Sequence, residues 1–132
     1  MAEYRKALAI KPDFIKAINN LGLALLGQGR YAEAMEQYRK ALDLEPGYAF
    51  GHNNLGLALM YLERPAEALP HFQKAVALVP EYVVAHNNLG GALLMMGRID
   101  EAIAQYRKAL ELRPDYAAAA EMLRIAESQR PR

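Results

Sequence analysis

Cysteine, tryptophan and threonine are absent from this 132-residue chain, and serine occurs once, at Ser128. Without cysteine there is no disulfide framework, which fits a reducing compartment. A side-chain nucleophile would have to be that serine, a lysine, a tyrosine or a carboxylate, so most simple enzyme templates have no residue to start from. The formal net charge is only +1, with acidic and basic residues interleaved. Neither a basic stripe nor aromatic–basic interleaving occurs, which argues against nucleic acid as a partner. The opening residues, Met1-Ala2-Glu3-Tyr4-Arg5-Lys6, hold no hydrophobic signal core. No apolar run approaches the roughly 18 residues that a membrane span requires. A cytoplasmic setting is the default these absences leave.

What is present is periodic. Pro12, Pro46, Pro80 and Pro114 fall at a constant 34-residue interval. Asn19-Asn20-Leu21-Gly22 returns as Asn53-Asn54-Leu55-Gly56 and as Asn87-Asn88-Leu89-Gly90. Tyr38-Arg39-Lys40-Ala41-Leu42 returns as Phe72-Gln73-Lys74-Ala75-Val76 and Tyr106-Arg107-Lys108-Ala109-Leu110. A period of this length marks a stacked repeat protein, in which one unit cannot bury its apolar face without its neighbours.

Two amphipathic helices are legible in each unit. In the first complete unit Phe14, Ile18, Leu21 and Leu25 recur at helical spacing, and the helix ends near Gly27-Gln28-Gly29. A second helix starts around Tyr31 to Glu33, carries Ala34, Tyr38, Ala41 and Leu42 on one stripe, and stops before Pro46. Asp13 and Asp115 are expected as N-caps. Glu33, Glu67 and Glu101 fall early in the second helices, Arg39-Lys40 and Arg107-Lys108 late, a polarity that complements the helix dipole. Gly22, Gly56 and Gly90 lie inside helices, where glycine costs about 1 kcal/mol relative to alanine, so each is expected to allow close approach of a neighbouring helix. Ala34, Ala68 and Ala102 are expected to meet them from the facing side. In the middle unit Glu63-Arg64-Pro65 stands where the first has Gly29-Arg30-Tyr31, and Pro70 falls inside a helix.

These residues resemble the tetratricopeptide repeat, a 34-residue helix–turn–helix unit with a Trp, Leu-Gly, Tyr, Ala, Phe, Pro signature. Leu21-Gly22, Ala34, Tyr38 and Pro46 fit the first unit, Leu55-Gly56, Ala68, Phe72 and Pro80 the second, and Leu89-Gly90, Ala102, Tyr106 and Pro114 the third. Ile18, His52 and His86 replace the signature Trp. The expected organisation is one domain: a half repeat with only its second helix over 1–12, complete repeats over 13–46, 47–80 and 81–114, and a capping helix over 115–132. The fold class is all-α, and the resemblance implies a right-handed α-solenoid whose first helices line a concave groove.

By the same resemblance that groove binds an extended peptide or a partner helix, with no catalysis and no cofactor. It would present Lys16, Asn19, Asn20 and Leu23 from the first unit, Phe50, Asn53, Asn54, Leu57 and Tyr61 from the second, and Asn87, Asn88, Gly91 and Met95 from the third, with Met122 near the last helix. The lysine, arginine and asparagine clamp by which some relatives grip a C-terminal carboxylate is not repeated here. Of that set Asn54 is kept, but Asn19, Leu23, Val84 and Asn88 stand at the other positions, so the paired cations that carboxylate recognition favours are missing. The wording Pro12-Asp13-Phe14-Ile15-Lys16-Ala17-Ile18-Asn19-Asn20-Leu21-Gly22 is closer to the repeats of O-linked N-acetylglucosamine transferase. There an asparagine ladder grips the backbone of an extended peptide, and Asn20, Asn54 and Asn88 fall on that step. His52 and His86 lie a whole repeat apart without a partner at ligand spacing, so no metal is assigned to them, and His71 is read as a surface residue. The open N-terminal edge, with Tyr4, Leu8 and Ile10, offers a self-assembly alternative in which the chain stacks on a second copy. A third is a substrate-recognition piece of a larger enzyme, such as a glycosyltransferase.

Overall fold

The computed structural model describes residues 2–131, with side chains placed from residue 13 onward. Seven α-helices are described: α1 (Ala2–Gly27), α2 (Tyr31–Leu44), α3 (Ala49–Tyr61), α4 (Pro65–Leu78), α5 (Val83–Met95), α6 (Ile99–Leu112) and α7 (Ala117–Gln129). Each packs on its neighbours in sequence, so α1/α2, α3/α4 and α5/α6 are hairpins and α7 packs against α6. The odd-numbered helices also touch one another, α1 with α3, α3 with α5 and α5 with α7, whereas no such contact joins the even-numbered ones among the described residues. Elements crowd on the inside of a bend, so α1, α3 and α5 form the inner layer of an α-solenoid.

The intra-repeat glycines fit under aromatic rings. Tyr38, Phe72 and Tyr106 are fully buried, and a Cβ on Gly56 would stand 2.6 Å from Cε1 of Phe72, as one on Gly90 would from Tyr106. Ala34, Ala68 and Ala102 are likewise sealed from solvent. The groups nearest the glycines are thus the rings and not the expected alanines, and this close packing of glycine and ring once per unit offsets the helix penalty of glycine.

Several local expectations are corrected. Asp13 lies inside α1 and Asp115 precedes Tyr116, so neither caps a helix. The caps are Arg30, Tyr48, Arg64, Tyr82, Arg98 and Tyr116, none with a side-chain capping bond. Arg30, Arg64 and Arg98 instead pair with Glu33, Glu67 and Glu101 one turn on, exposed pairs of small energetic weight. The last turns of the second helices hold no basic residue, because Arg39-Lys40 and Arg107-Lys108 stop a turn short. α4 continues through Pro70, whose ring is exposed. Glu63 takes the turn position of Gly29 and Gly97 and adopts the same left-handed backbone, with φ 59° against their 75° and 76°.

The N-terminal boundary also differs. α1 is continuous from Ala2 to Gly27, so residues 1–12 are not set off as a separate second helix and Pro12 lies within α1. An interior proline loses one backbone hydrogen bond and crowds the carbonyl four residues back, which bends a helix more often than it ends one when the flanking turns are hydrogen-bonded. The expected packing edge of Tyr4, Leu8 and Ile10 lies outside the residues with described side chains. Further on, Leu21 is 49% exposed and Phe14 55%, while Leu55 and Leu89, which match Leu21, are 2% and 4% exposed. The buried stripe of α1 therefore runs through Ile15, Ile18 and Leu25, not through Phe14 and Leu21.

Candidate functional site

Residues one repeat apart form rows across the inner layer. Lys16, at mid-helix in α1, aligns with Phe50 and Val84 at the starts of α3 and α5 as one row, and Leu23, Leu57 and Gly91 make a second. Tyr61 and Met95 make a third near the helix ends. Large apolar side chains in these rows face solvent: Leu23, Phe50, Tyr61, Val84 and Met95 are each between 40% and 55% exposed. Leu57 and Met122 are half-buried. Gly91, where its neighbours have leucine, leaves the floor lower, since a Cβ there would meet only Met60 Cε at 3.8 Å and the Tyr106 hydroxyl at 4.0 Å.

An aromatic line flanks the first row. Phe50 meets Tyr82 edge-on at 5.4 Å and Tyr48 at 5.8 Å between ring centroids, the offset geometry such rings prefer. Phe50 divides two open hollows. One of about 400 Å³ is lined by Lys16, Asn19, Asn20, Tyr48 and Phe50. The other, about 320 Å³ and mostly apolar, lies among Phe50, Val79, Tyr82, Val83, Val84 and the stem of Arg113. Burial pushes the Tyr82 hydroxyl up to about 12, with Asn53 working against it and Tyr48 adding to it. At the opposite rim Tyr31 stacks on Tyr61 at 5.0 Å and 6°.

The asparagines behave differently from the ladder expected of them. Asn19, Asn53 and Asn54 are buried, and Asn87 and Asn88 half-buried. Asn54 Nδ2 donates to Asn19 Oδ1 at 2.9 Å, and Asn88 Nδ2 to Asn53 Oδ1 at 3.0 Å. A longer contact of 3.5 Å from Asn53 Nδ2 to Asn54 Oδ1 joins the two. The second asparagine of one repeat thus bonds to the first of the repeat before it, which accounts for both positions of the motif. Two of the three proposed rungs spend a donor on the fold, and Asn20 alone is exposed. The repeating bond is missing at Asn87, which stands outside the Asn88–Asn53–Asn54–Asn19 chain and whose Oδ1 is buried without a partner. Its next donor would come from position 122, where Met122 has no N–H to give.

Sequence reasoning left Tyr48, Tyr82, Val84 and Tyr31 out of the groove. The recurrence of Phe14, Tyr48, Tyr82 and Tyr116 at 34-residue spacing was the available signal for the first two. On the other side of the stack His71 is half-buried, not at the surface, and its Nδ1 lies 3.3 Å from that of His52. Burial, His52 and Arg39, in that order, hold the His71 imidazole below its usual range. His52 and His86 are tied by Nε2 to the carbonyls of Pro46 and Pro80 at 2.9 and 2.7 Å. Among the described residues no three His, Asp or Glu side chains cluster as metal ligands, and no helix is long and apolar enough to cross a membrane.

Comparison with known proteins follows the same geometry. Tetratricopeptide-repeat family patterns match residues 48–115, 27–62 and 3–36, the first covering just over half of the chain. No curated protein matches the chain. The first TPR of Spaghetti (RPAP3), bound to the HSP90 peptide SRMEEVD, superposes with a TM-score of 0.84 at 29% identity over 86% of this chain and 90% of that one. The first TPR domain of human RPAP3 gives 0.86 at 29% identity, over 89% and 92%. The Arabidopsis OM64 TPR domain gives 0.86 over 91% and 99% at 22% identity, a likeness of fold. None of these neighbours singles out the glycosyltransferase repeats.

Proposed function

The chain belongs to the tetratricopeptide-repeat family, a non-catalytic fold, and we propose that it binds an extended peptide or a partner helix along the inner face of α1, α3 and α5. The observation that carries this is the register of exposed apolar side chains: Phe50 with Val84 and Tyr61 with Met95, each pair 34 residues apart on adjacent inner helices. Exposed large apolar side chains gathered on one face mark a surface suited to be covered. Lys16 and Asn20 give the strip a polar end. Recognition rests on apolar side chains of the ligand more than on its backbone, because Asn54 and Asn88 already donate within the stack.

Relatives of known structure are seen with an HSP90 or an HSP70 peptide. In this chain Asn19, Leu23, Val84 and Asn88 supply no cation for a terminal carboxylate, so a less acidic, more apolar ligand is favoured. Fluorescence anisotropy against a labelled peptide library tests the reading. Phe50→Ala and Tyr61→Ala should weaken capture about tenfold each, given the apolar area each offers, while the chain stays helical and loses only the modest stability of the aromatic pairs removed. Undiminished capture by both variants rejects the groove, and preferential capture of the SRMEEVD peptide restores the chaperone-tail reading. The glycosyltransferase reading rests on repeat wording alone, and it predicts capture through the peptide backbone.

One observation favours a second reading. Phe14 and Leu21 are exposed at the edge where later repeats are covered, as stacking of a second copy there would require. Light scattering over a concentration series separates the two, since a strict monomer leaves only the groove.

A further inference from the structure

We propose that His52 and His71 form a chelating site for a divalent transition-metal ion of the Zn2+, Ni2+ and Cu2+ class, at the junction of the first and second repeats. Their Nδ1 atoms stand 3.3 Å apart. Two imidazole nitrogens each about 2.0–2.1 Å from one tetrahedral ion are separated by about 3.3 Å, so the spacing already suits an ion in place of the shared proton, while the rings, end to end with centroids 5.6 Å apart, each tilt by about 35° to aim their lone pairs at it. The tautomer of His52 is already the required one. A carbonyl only accepts, so the 2.9 Å contact to Pro46 O places the proton on Nε2 and leaves the Nδ1 lone pair facing His71. An N–H held by a backbone carbonyl behind the ligating nitrogen is the usual outer support of a metal-bound histidine. The cavity beside the pair, about 420 Å³, is open to solvent and also lined by Arg39, Leu42, Asp43, Pro46 and Leu55. Water would fill the remaining ligand positions there, and the lining carries one cation, Arg39, and one carboxylate, Asp43.

The neighbouring repeats supply an internal control. His86 is held by Pro80 in the same way, but its Nδ1 faces Gln105 Oε1 at 2.8 Å. Gln105 occupies the position of His71, as Gln37 does in the first repeat, where Ile18 replaces the other histidine. A glutamine therefore meets the packing need of this position, and the second imidazole is a feature of the middle repeat alone.

The test is titration of the whole, chelator-treated chain with Zn2+ alone, followed by calorimetry and by the imidazole proton resonances. One ion per chain should bind, moving His52 and His71 together and leaving His86 in place. H71Q, which installs the residue of the other repeats, should remain helical and weaken binding at least about tenfold. Equal affinity in H71Q, movement of His86 with the same profile, or no movement of the pair at millimolar Zn2+ overturns the proposal. The comparison of His86 with the pair needs no variant and decides the matter even if H71Q unfolds.

Discussion

Asn54 donates its side-chain N–H to Asn19 across the boundary between the first two repeats, at 2.9 Å and with both amides buried. The bond ties one inner helix to the next, and Asn88 repeats it onto Asn53. Asn54→Ala should therefore lower unfolding free energy by about 1–2 kcal/mol, combining the lost bond with the stranded Asn19 carbonyl. Asn20→Ala removes an exposed amide and should change stability by less than about 0.5 kcal/mol. Urea unfolding of the two variants reads the difference directly. Equal losses would mean that the amide chain holds nothing together.

At Asn87 the repeating bond is missing. Met122→Asn offers Nδ2 at the same 35-residue offset from Asn87 that Asn88 has from Asn53 and Asn54 from Asn19. A completed bond should raise stability by about 0.5–1.5 kcal/mol before the loss of methionine packing. Amide side-chain resonances of Asn87, shifted in the variant, would show the bond independently of the net stability.

The hydroxyls of Tyr38 and Tyr106 are buried without a partner, and burial pushes both up to about 12 from 10.0. Below pH 10 the native and unfolded states are both protonated at these rings, and stability does not depend on them. Between pH 10 and about 12 the unfolded state ionises while the folded state does not, so stability falls as pH rises. Replacing both by phenylalanine, which Phe72 shows to fit, should flatten that part of the melting-point profile. It should leave stability at pH 7 unchanged or slightly raised, since no hydrogen bond is lost.

Glu63 holds the left-handed turn that glycine holds in the other two repeats. Glu63→Gly relieves a steric cost of about 1–2 kcal/mol, partly offset by the greater freedom of glycine in the unfolded chain. A net gain of about 0.5–1 kcal/mol is expected in urea unfolding. Gly29→Glu is the mirror experiment and should cost a similar amount.

The repeat, its two helices and its tight glycines were legible because each is local or recurs in register. Gly56 beneath Phe72 follows from the cost of glycine in a helix, and α2 starts and stops where the sequence places it. The 34-residue period also sets which residues of α1, α3 and α5 stand at matching positions, such as Phe50 and Val84. What was missed depends on side chains from different repeats meeting at angles no periodicity encodes. The Asn54–Asn19 bond and the His52–His71 contact are of this kind. The uninterrupted α1 was missed because Pro12 reads as a break. The caps expected at Asp13 and Asp115 failed because α1 runs through Asp13 and α7 starts one residue later, after Tyr116.

The central claim is that the inner layer is the docking surface, and amide-shift mapping with a captured peptide tests it most directly. Shifts should concentrate on α1, α3 and α5, around Lys16, Phe50, Tyr61, Val84 and Met95, and leave α2, α4 and α6 largely unmoved. Shifts gathered on the outer helices, with those five residues silent, would contradict it.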